Sequence, residues 1–170
     1  GYLQVYKDDG VKIFETHVEP DKDGDFLDYE DVRVLGSHHV ITIASKAIGE
    51  NKSRMDIYDI LSGEVIFSTP SNNVRNLQIS PDENYTLFYM GSKNSNATYK
   101  YDLLNQKIKK IMEDATLLDF SNDGKSYVLA RWEKSGQNPL TGNEMGFASL
   151  YFYKGDAPQW TKRTRSYESS

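Results

Sequence analysis

Apolar and polar positions fall into short blocks along this chain and nowhere into a sustained helical stripe. In "LQISPDENYTLFYM", Leu77 to Met90, an extended segment meets a tight turn at Ser80-Pro81-Asp82 and then a continuous apolar run. Proline pre-sets φ for the second turn position and aspartate bonds its own backbone, so the stretch predicts a β-hairpin. "LLDFSNDGKSYVLARW", Leu117 to Trp132, repeats the order with Asn122-Asp123-Gly124 as the turn. A third case, "VRVLGSHHVITIAS" from Val32, has the same order without the aspartate turn. The unbroken apolar character of the three runs predicts strands covered on both faces.

A second pattern follows each of these runs. "MDIYDILSGEVIF" and "TYKYDLLNQKIKKI" superpose with Tyr58 on Tyr101, Asp59 on Asp102, Ile60 on Leu103 and Val65 on Ile108. Each predicts a strand, a polar turn and a returning strand. "QVYKDDGVKIF" around Tyr6 and "LYFYKGDAPQW" around Tyr153 repeat it near the two ends, the last with a weak returning strand at Ala157 to Trp160. From Tyr6 to Tyr58 is 52 residues, from Tyr58 to Tyr101 is 43, and from Tyr101 to Tyr153 is 52. The longer intervals carry loop-like inserts, "HVEPDKDGD" and "EKSGQNPLTGNEMG", whose removal brings the period near the middle one. A period of about 40 to 45 residues with four strands per unit is the signature of a β-propeller blade. The predicted fold is all-β, a β-propeller-like array of about three to four four-stranded antiparallel blades, over residues 1–160, with 161–170 as a flexible tail.

These residues carry a resemblance. The "SPDENYTLF" and "SNDGKSYVL" turns, followed by "YDILSGEV" and "YDLLNQKI", resemble the TolB-like and WD40-like propeller repeats over roughly Asp31 to Tyr153. Tyr58-Asp59 and Tyr101-Asp102 stand where WD40 proteins have Trp-Asp, and the Gly-His pair of that family is missing, which favours the TolB-like side. The resemblance implies a propeller fold more than a function, and a bacterial extracytoplasmic setting fits it. Propellers close with four to eight blades, so the strands counted here imply either a small ring, a homo-oligomer, or a missing propeller segment that leaves an open edge.

Composition narrows the function classes. Mean hydropathy is low, at -0.66, but Tyr 12 and Phe 7 supply large strand-compatible side chains. The net charge of -5 argues against a nucleic-acid partner, because neutralising phosphates needs a basic face. Without cysteine there is neither a disulfide framework nor a thiolate site. No apolar run approaches the roughly 20 residues that span a bilayer, and Gly1 in place of Met is expected of a processed or excised chain.

The sharpest candidate site is "DKDGDFLD", with Asp21, Asp23, Asp25 and Asp28. Carboxylates at alternate positions around a glycine can wrap calcium in oxygen ligands. The loop resembles the calcium inserts of integrin-type propellers, departing from them at Phe26 and in the early placing of the last carboxylate. His38 and His39 are adjacent and point to opposite faces of a strand, so one ion cannot easily take both; with His17 they read as turn or surface histidines. Asn51, Asn84 and Asn96 head Asn-x-Ser/Thr sites, a weak signal. Lys107, Lys109 and Lys110 on a returning strand read as edge protection. Tyr99, Tyr101, Tyr151, Phe152 and Tyr153 read as packing between blades, with a ligand-binding face as the rival.

No nucleophile elbow, His-Glu-x-x-His, phosphate loop or dinucleotide fingerprint occurs in the sequence. The reading is therefore a non-enzymatic propeller module that binds a protein or peptide, with the inserts near Asp21 and Gln137 as the expected contact loops. Two alternatives stand beside it. One is the propeller portion of a prolyl-oligopeptidase-like serine peptidase whose catalytic residues lie outside this chain. The other is a ligand-sensing ectodomain with the acidic loop as its calcium site.

Overall fold

The computed structural model describes residues 2–17, 27–35, 38–46, 52–70, 73–92, 95–164 and 167–168. It is built from antiparallel strands. A hairpin of β1 (Tyr2–Tyr6) and β2 (Lys12–His17) comes first. Three sheets follow in chain order, of which the first joins β3 (Leu27–Leu35), β4 (His39–Lys46), β5 (Ser53–Asp59) and β6 (Val65–Ser68). The second holds β7 (Asn73–Ile79), β8 (Tyr85–Ser92), β9 (Ser95–Asp102) and β10 (Lys107–Glu113). In the third, β11 (Ala115–Phe120), β12 (Ser126–Gln137), β13 (Glu144–Lys154) and β14 (Ala157–Arg163) are joined by β15 (Tyr167–Glu168), which pairs with β13. The segment 161–170 thus begins inside β14 and includes a short pairing.

Local chemistry sets these elements. At the β7–β8 turn the Ser80 hydroxyl accepts from the Tyr85 amide at 3.1 Å, and at the β11–β12 turn Ser121 accepts from Ser126 at 2.9 Å. Asp123 accepts from the Lys125 amide. After Tyr58 and Tyr101 the aspartate caps the next turn: Asp59 accepts from the Leu61 and Ser62 amides at 2.9 and 2.8 Å, and Asp102 from the Asn105 amide at 2.8 Å. The Ser62 amide above all holds the Asp59 carboxyl below the usual carboxylate range. The repeated Tyr-Asp pair is therefore a core residue followed by a turn cap.

The "EKSGQNPLTGNEMG" insert departs from the loop expected of it. β12 and β13 run on through it as a long hairpin, paired to Gln137↔Glu144, and only Asn138 to Asn143 turn. Lys134, Gly136 and Gln137 pair through backbone groups, with a register shift at Ser135, and side-chain patterning does not reveal such pairing.

The chain divides into two compact units, Gly1–Arg75 with Met90–Ser92, and Asn76–Tyr89 with Lys93–Ser170. In the first, the hairpin lays Leu3, Val5 and Phe14 on Val40, Tyr58 and Ile60 of the following sheet, with Phe14 and Tyr58 tilted at 5.3 Å. In the second, Tyr85 and Leu87 of β8 pack on Ala115, Tyr127, Leu129 and Tyr153. The expectation of strands covered on both faces holds for β4 and β8, whose successive residues Val40 to Ala44 and Tyr85 to Tyr89 are all buried. In β12 it fails: Tyr127 and Leu129 are buried, while Val128, Ala130 and Trp132 on the other face are only partly so.

One polar grip holds the second unit together. Asp156, in the β13–β14 turn, accepts from Lys100 Nζ at 2.8 Å and Lys109 Nζ at 3.2 Å, and Lys100 sits 4.1 Å over the Tyr85 ring. The Lys100 hydrogen bond is the main force holding the Asp156 carboxyl below the usual carboxylate range. Because the folded pKa is the lower one, the grip contributes fully above the unfolded carboxylate value of about 3.9 and fades as pH falls through the folded value. Thermal melts of Asp156→Asn should therefore show a deficit against the parent chain at neutral pH that shrinks toward pH 3. A deficit constant across that range would mean that the carboxylate charge contributes nothing.

Candidate binding cleft

A cleft of about 880 Å³ opens in the first unit where three turns meet. Its walls come from the β1–β2 turn, the end of β3 with His38, and the residues that follow β5. Each turn is fixed locally. Lys7 closes the hairpin by donating its amide to Val11 O at 2.9 Å and accepting from the Gly10 amide, while Asp9 accepts from the Val11 amide at 3.0 Å. The Ile60 amide donates to His38 O at 2.7 Å and ties the second wall to the third.

The floor is apolar. Val5, Ile13 and Ile60 line it and belong to the packed cluster below, so the cleft is continuous with the core. Val34 and Leu61 stand at its mouth, Leu61 78% exposed because the Asp59 cap turns the chain outward there. Around them lie Lys7, Asp8, Asp9 and His38, a rim with more carboxylate than ammonium charge. A cleft of a few hundred to 1,000 Å³ with an apolar floor and a few polar groups is the usual form of a ligand site. This one can take an apolar side chain on its floor and a cation at its rim.

Of the expected site residues that the structure describes, one lines the cleft. Asp21, Asp23 and Asp25 lie outside the described residues, and Asp28 is an exposed residue of β3 paired with Ser45. Of the histidines, His38 lines the cleft, while His39 begins β4 and His17 ends β2. Among the aromatics, Tyr101 and Tyr153 are buried, Tyr99 stacks on Phe88 at 6.0 Å, and Phe152 stacks on Trp160 at 5.3 Å. Tyr151 shares a network with Arg131 and Glu133 at 2.9 Å, and Arg131 above all pulls the Glu133 carboxyl down to about 2. The lysines of β10 are exposed on an edge strand. Val5, Tyr6, Ile60 and Leu61 line the cleft without a distinguishing sequence signal, because the apolar pair after Asp59 recurs as Leu103-Leu104 after Asp102.

No family model matches the sequence. Nor does any curated protein. Among solved structures, the β-propeller domain of the Trilobed protease from Pyrococcus furiosus aligns at TM-score 0.58 and 15% identity, over 82% of this chain and 43% of that one. Pyrococcus horikoshii acylaminoacyl peptidase aligns at TM-score 0.57 and 14% identity, over 81% of this chain and 25% of that one. This is a β-propeller-like fold. TolB from Acinetobacter baumannii also aligns, at TM-score 0.49 and 17% identity over 95% of this chain and 37% of that one. The chain therefore spans well under half the length of these three solved structures.

Proposed function

We propose that this propeller-like chain is a non-enzymatic binding module, and that it takes an extended peptide segment of a partner protein in the cleft of its first unit. The observation that carries this reading is an apolar floor open to solvent beneath a rim richer in carboxylates than in ammonium groups. An alternating apolar and basic peptide matches both features, because the floor gains from burying a side chain and the rim from meeting a cation. Cleft and partner share a mode in which rigid turns on a repeat scaffold carry the contact.

Fluorescence anisotropy of labelled decapeptides tests it, with Leu or Phe alternating with Lys in one set and with Glu in the other. The basic set should bind saturably and the acidic set weakly. Leu61→Lys should weaken the basic set about tenfold, a loss of roughly 1.4 kcal/mol, and Leu140→Lys, at the tip of the β12–β13 hairpin, should leave it unchanged. Equal binding of both sets, or equal loss in both variants, would remove the cleft from consideration.

The alternative, service as the propeller portion of a serine peptidase, rests on likeness of fold to two peptidase structures at 14% and 15% identity. A hydrolase domain with a nucleophile elbow elsewhere in the same protein would decide for it.

A further inference from the structure

Two hydroxyls in the first unit, Thr42 Oγ1 and the Tyr29 phenol, are out of reach of solvent and meet no hydrogen-bond partner among the described residues. Thr42 is wholly buried. A buried hydroxyl left unpaired is strongly disfavoured, so each such group calls for a partner. Thr42 pairs with Val32 across β3–β4 and with Asp56 across β4–β5, which puts it on the sheet face that carries Val40 and Tyr58 beneath the β1–β2 hairpin. Tyr29 pairs with Ala44, two residues along the same face, and packs on it. Its hydroxyl has Tyr58, Thr16 and Asp56 for neighbours, none in hydrogen-bond geometry with it. Burial above all, with Tyr58 and Asp56 adding to it, holds the phenol far above its ordinary pKa.

Acceptors are at hand. Asp56 is 3% exposed, and its carboxylate accepts from Arg54 Nε at 2.9 Å on one oxygen and from Ser68 Oγ at 2.5 Å on the other. A carboxylate has about four acceptor positions, so each oxygen keeps one in hand. Thr16 donates its hydroxyl hydrogen to His17 O at 3.5 Å, which leaves its oxygen as an acceptor. Two donors and two kinds of acceptor therefore converge from β2, β3, β4 and β5. Arg54 already balances the charge of Asp56, so the place favours a neutral occupant over a cation.

We propose that this is the binding site of a buried water molecule, which accepts from the Tyr29 and Thr42 hydroxyls and donates to Asp56 and Thr16. Water alone among small neutral molecules offers two donors and two acceptors in that space, and buried waters with two to four such bonds are a regular part of protein interiors. The bound water joins the hairpin to three strands of the following sheet, beside the apolar contact of Phe14 with Tyr58. This site is independent of the cleft and of its peptide.

Oxygen-17 relaxation dispersion, which detects water held longer than the protein tumbles, tests the proposal on variants with parental circular dichroism. Tyr29→Phe and Thr42→Val should each lower the dispersion amplitude. Thr42→Ser, which keeps the hydroxyl, should retain it, and Tyr127→Phe, which removes a hydroxyl elsewhere, should leave it unchanged. Melting supplies a sign: both Tyr29→Phe and Thr42→Val should lower Tm because each breaks the bridge. On the parent chain itself, magnetisation transfer from water to the Thr42 methyl group should carry the sign of a slowly tumbling molecule, and its absence would overturn the proposal even where a variant fails to fold. An amplitude unchanged in both hydroxyl deletions, or a Tm equal to or above that of the parent in both, would also overturn it, leaving two hydroxyls that are simply unpaired. So would a parental Tm that rises with sodium or potassium at fixed ionic strength, since a cation would then hold the site.

Discussion

Tyr127→Ala lowers unfolding stability by about 3 to 5 kcal/mol in urea denaturation, the range for removing a large buried aromatic, while Tyr127→Phe leaves it equal or up to about 1 kcal/mol higher. The ring stacks on Tyr153 at 5.0 Å, nearly parallel at 7°, and meets Tyr85 and Phe120 at 6.3 and 6.4 Å. Its loss would leave a cavity lined by three aromatics that cannot collapse without breaking their mutual geometry. The hydroxyl is a different matter: it is buried and finds no hydrogen-bond partner among the described residues. Burial pushes the phenol far up from its ordinary pKa. Deleting that oxygen removes a desolvated polar group and keeps the packing. A stability loss above 1 kcal/mol in the phenylalanine variant would show that the hydroxyl is satisfied.

Gly124→Ala costs about 2 to 4 kcal/mol, for two separable reasons. Gly124 has φ +68°, a left-handed conformation that strains any residue with a Cβ. A Cβ there would also lie 2.7 Å from Asp82 Oδ1 and 3.0 Å from the Asp82 amide, so the Ser121 to Gly124 turn and the Ser80 to Asp82 turn pack with no room to spare. Tyr85 closes the same contact by donating its hydroxyl to Gly124 O at 2.6 Å. Gly63, at φ +75° with open space where its Cβ would stand, is the control. Gly63→Ala should cost only the conformational part, about 1 to 2 kcal/mol. Equal losses in the two variants, by the same denaturation, would mean that the turns do not crowd each other.

Much of the architecture is legible in the pattern of residues, because its causes are local. The turn aspartates bond amides two and three residues away, so Asp59, Asp102 and Asp123 act within the reach of a short motif. Tyr58, Tyr101 and Tyr153 are buried at equivalent positions of their repeats, whereas Tyr6 at the same position is exposed. The insert after Trp132 reads as a loop because its polar residues show no alternation. In a projecting hairpin both faces are wet, so backbone pairing proceeds without a side-chain pattern to announce it. The cleft escapes such a reading because its walls belong to three turns more than 20 residues apart, and only His38 among its lining residues stands out as candidate chemistry.

What the sequence determined by itself was the repeat: four tyrosine-centred units, three apolar runs and the turns between them, each following from contacts within a few residues. The tertiary structure decided which copies of a repeated position are covered. Tyr6 and Tyr153 are alike in the pattern, yet Tyr153 is buried and Tyr6 is exposed. Burial depends on whether a neighbouring sheet is present, and that is a property of the assembled strands which no short stretch of residues contains.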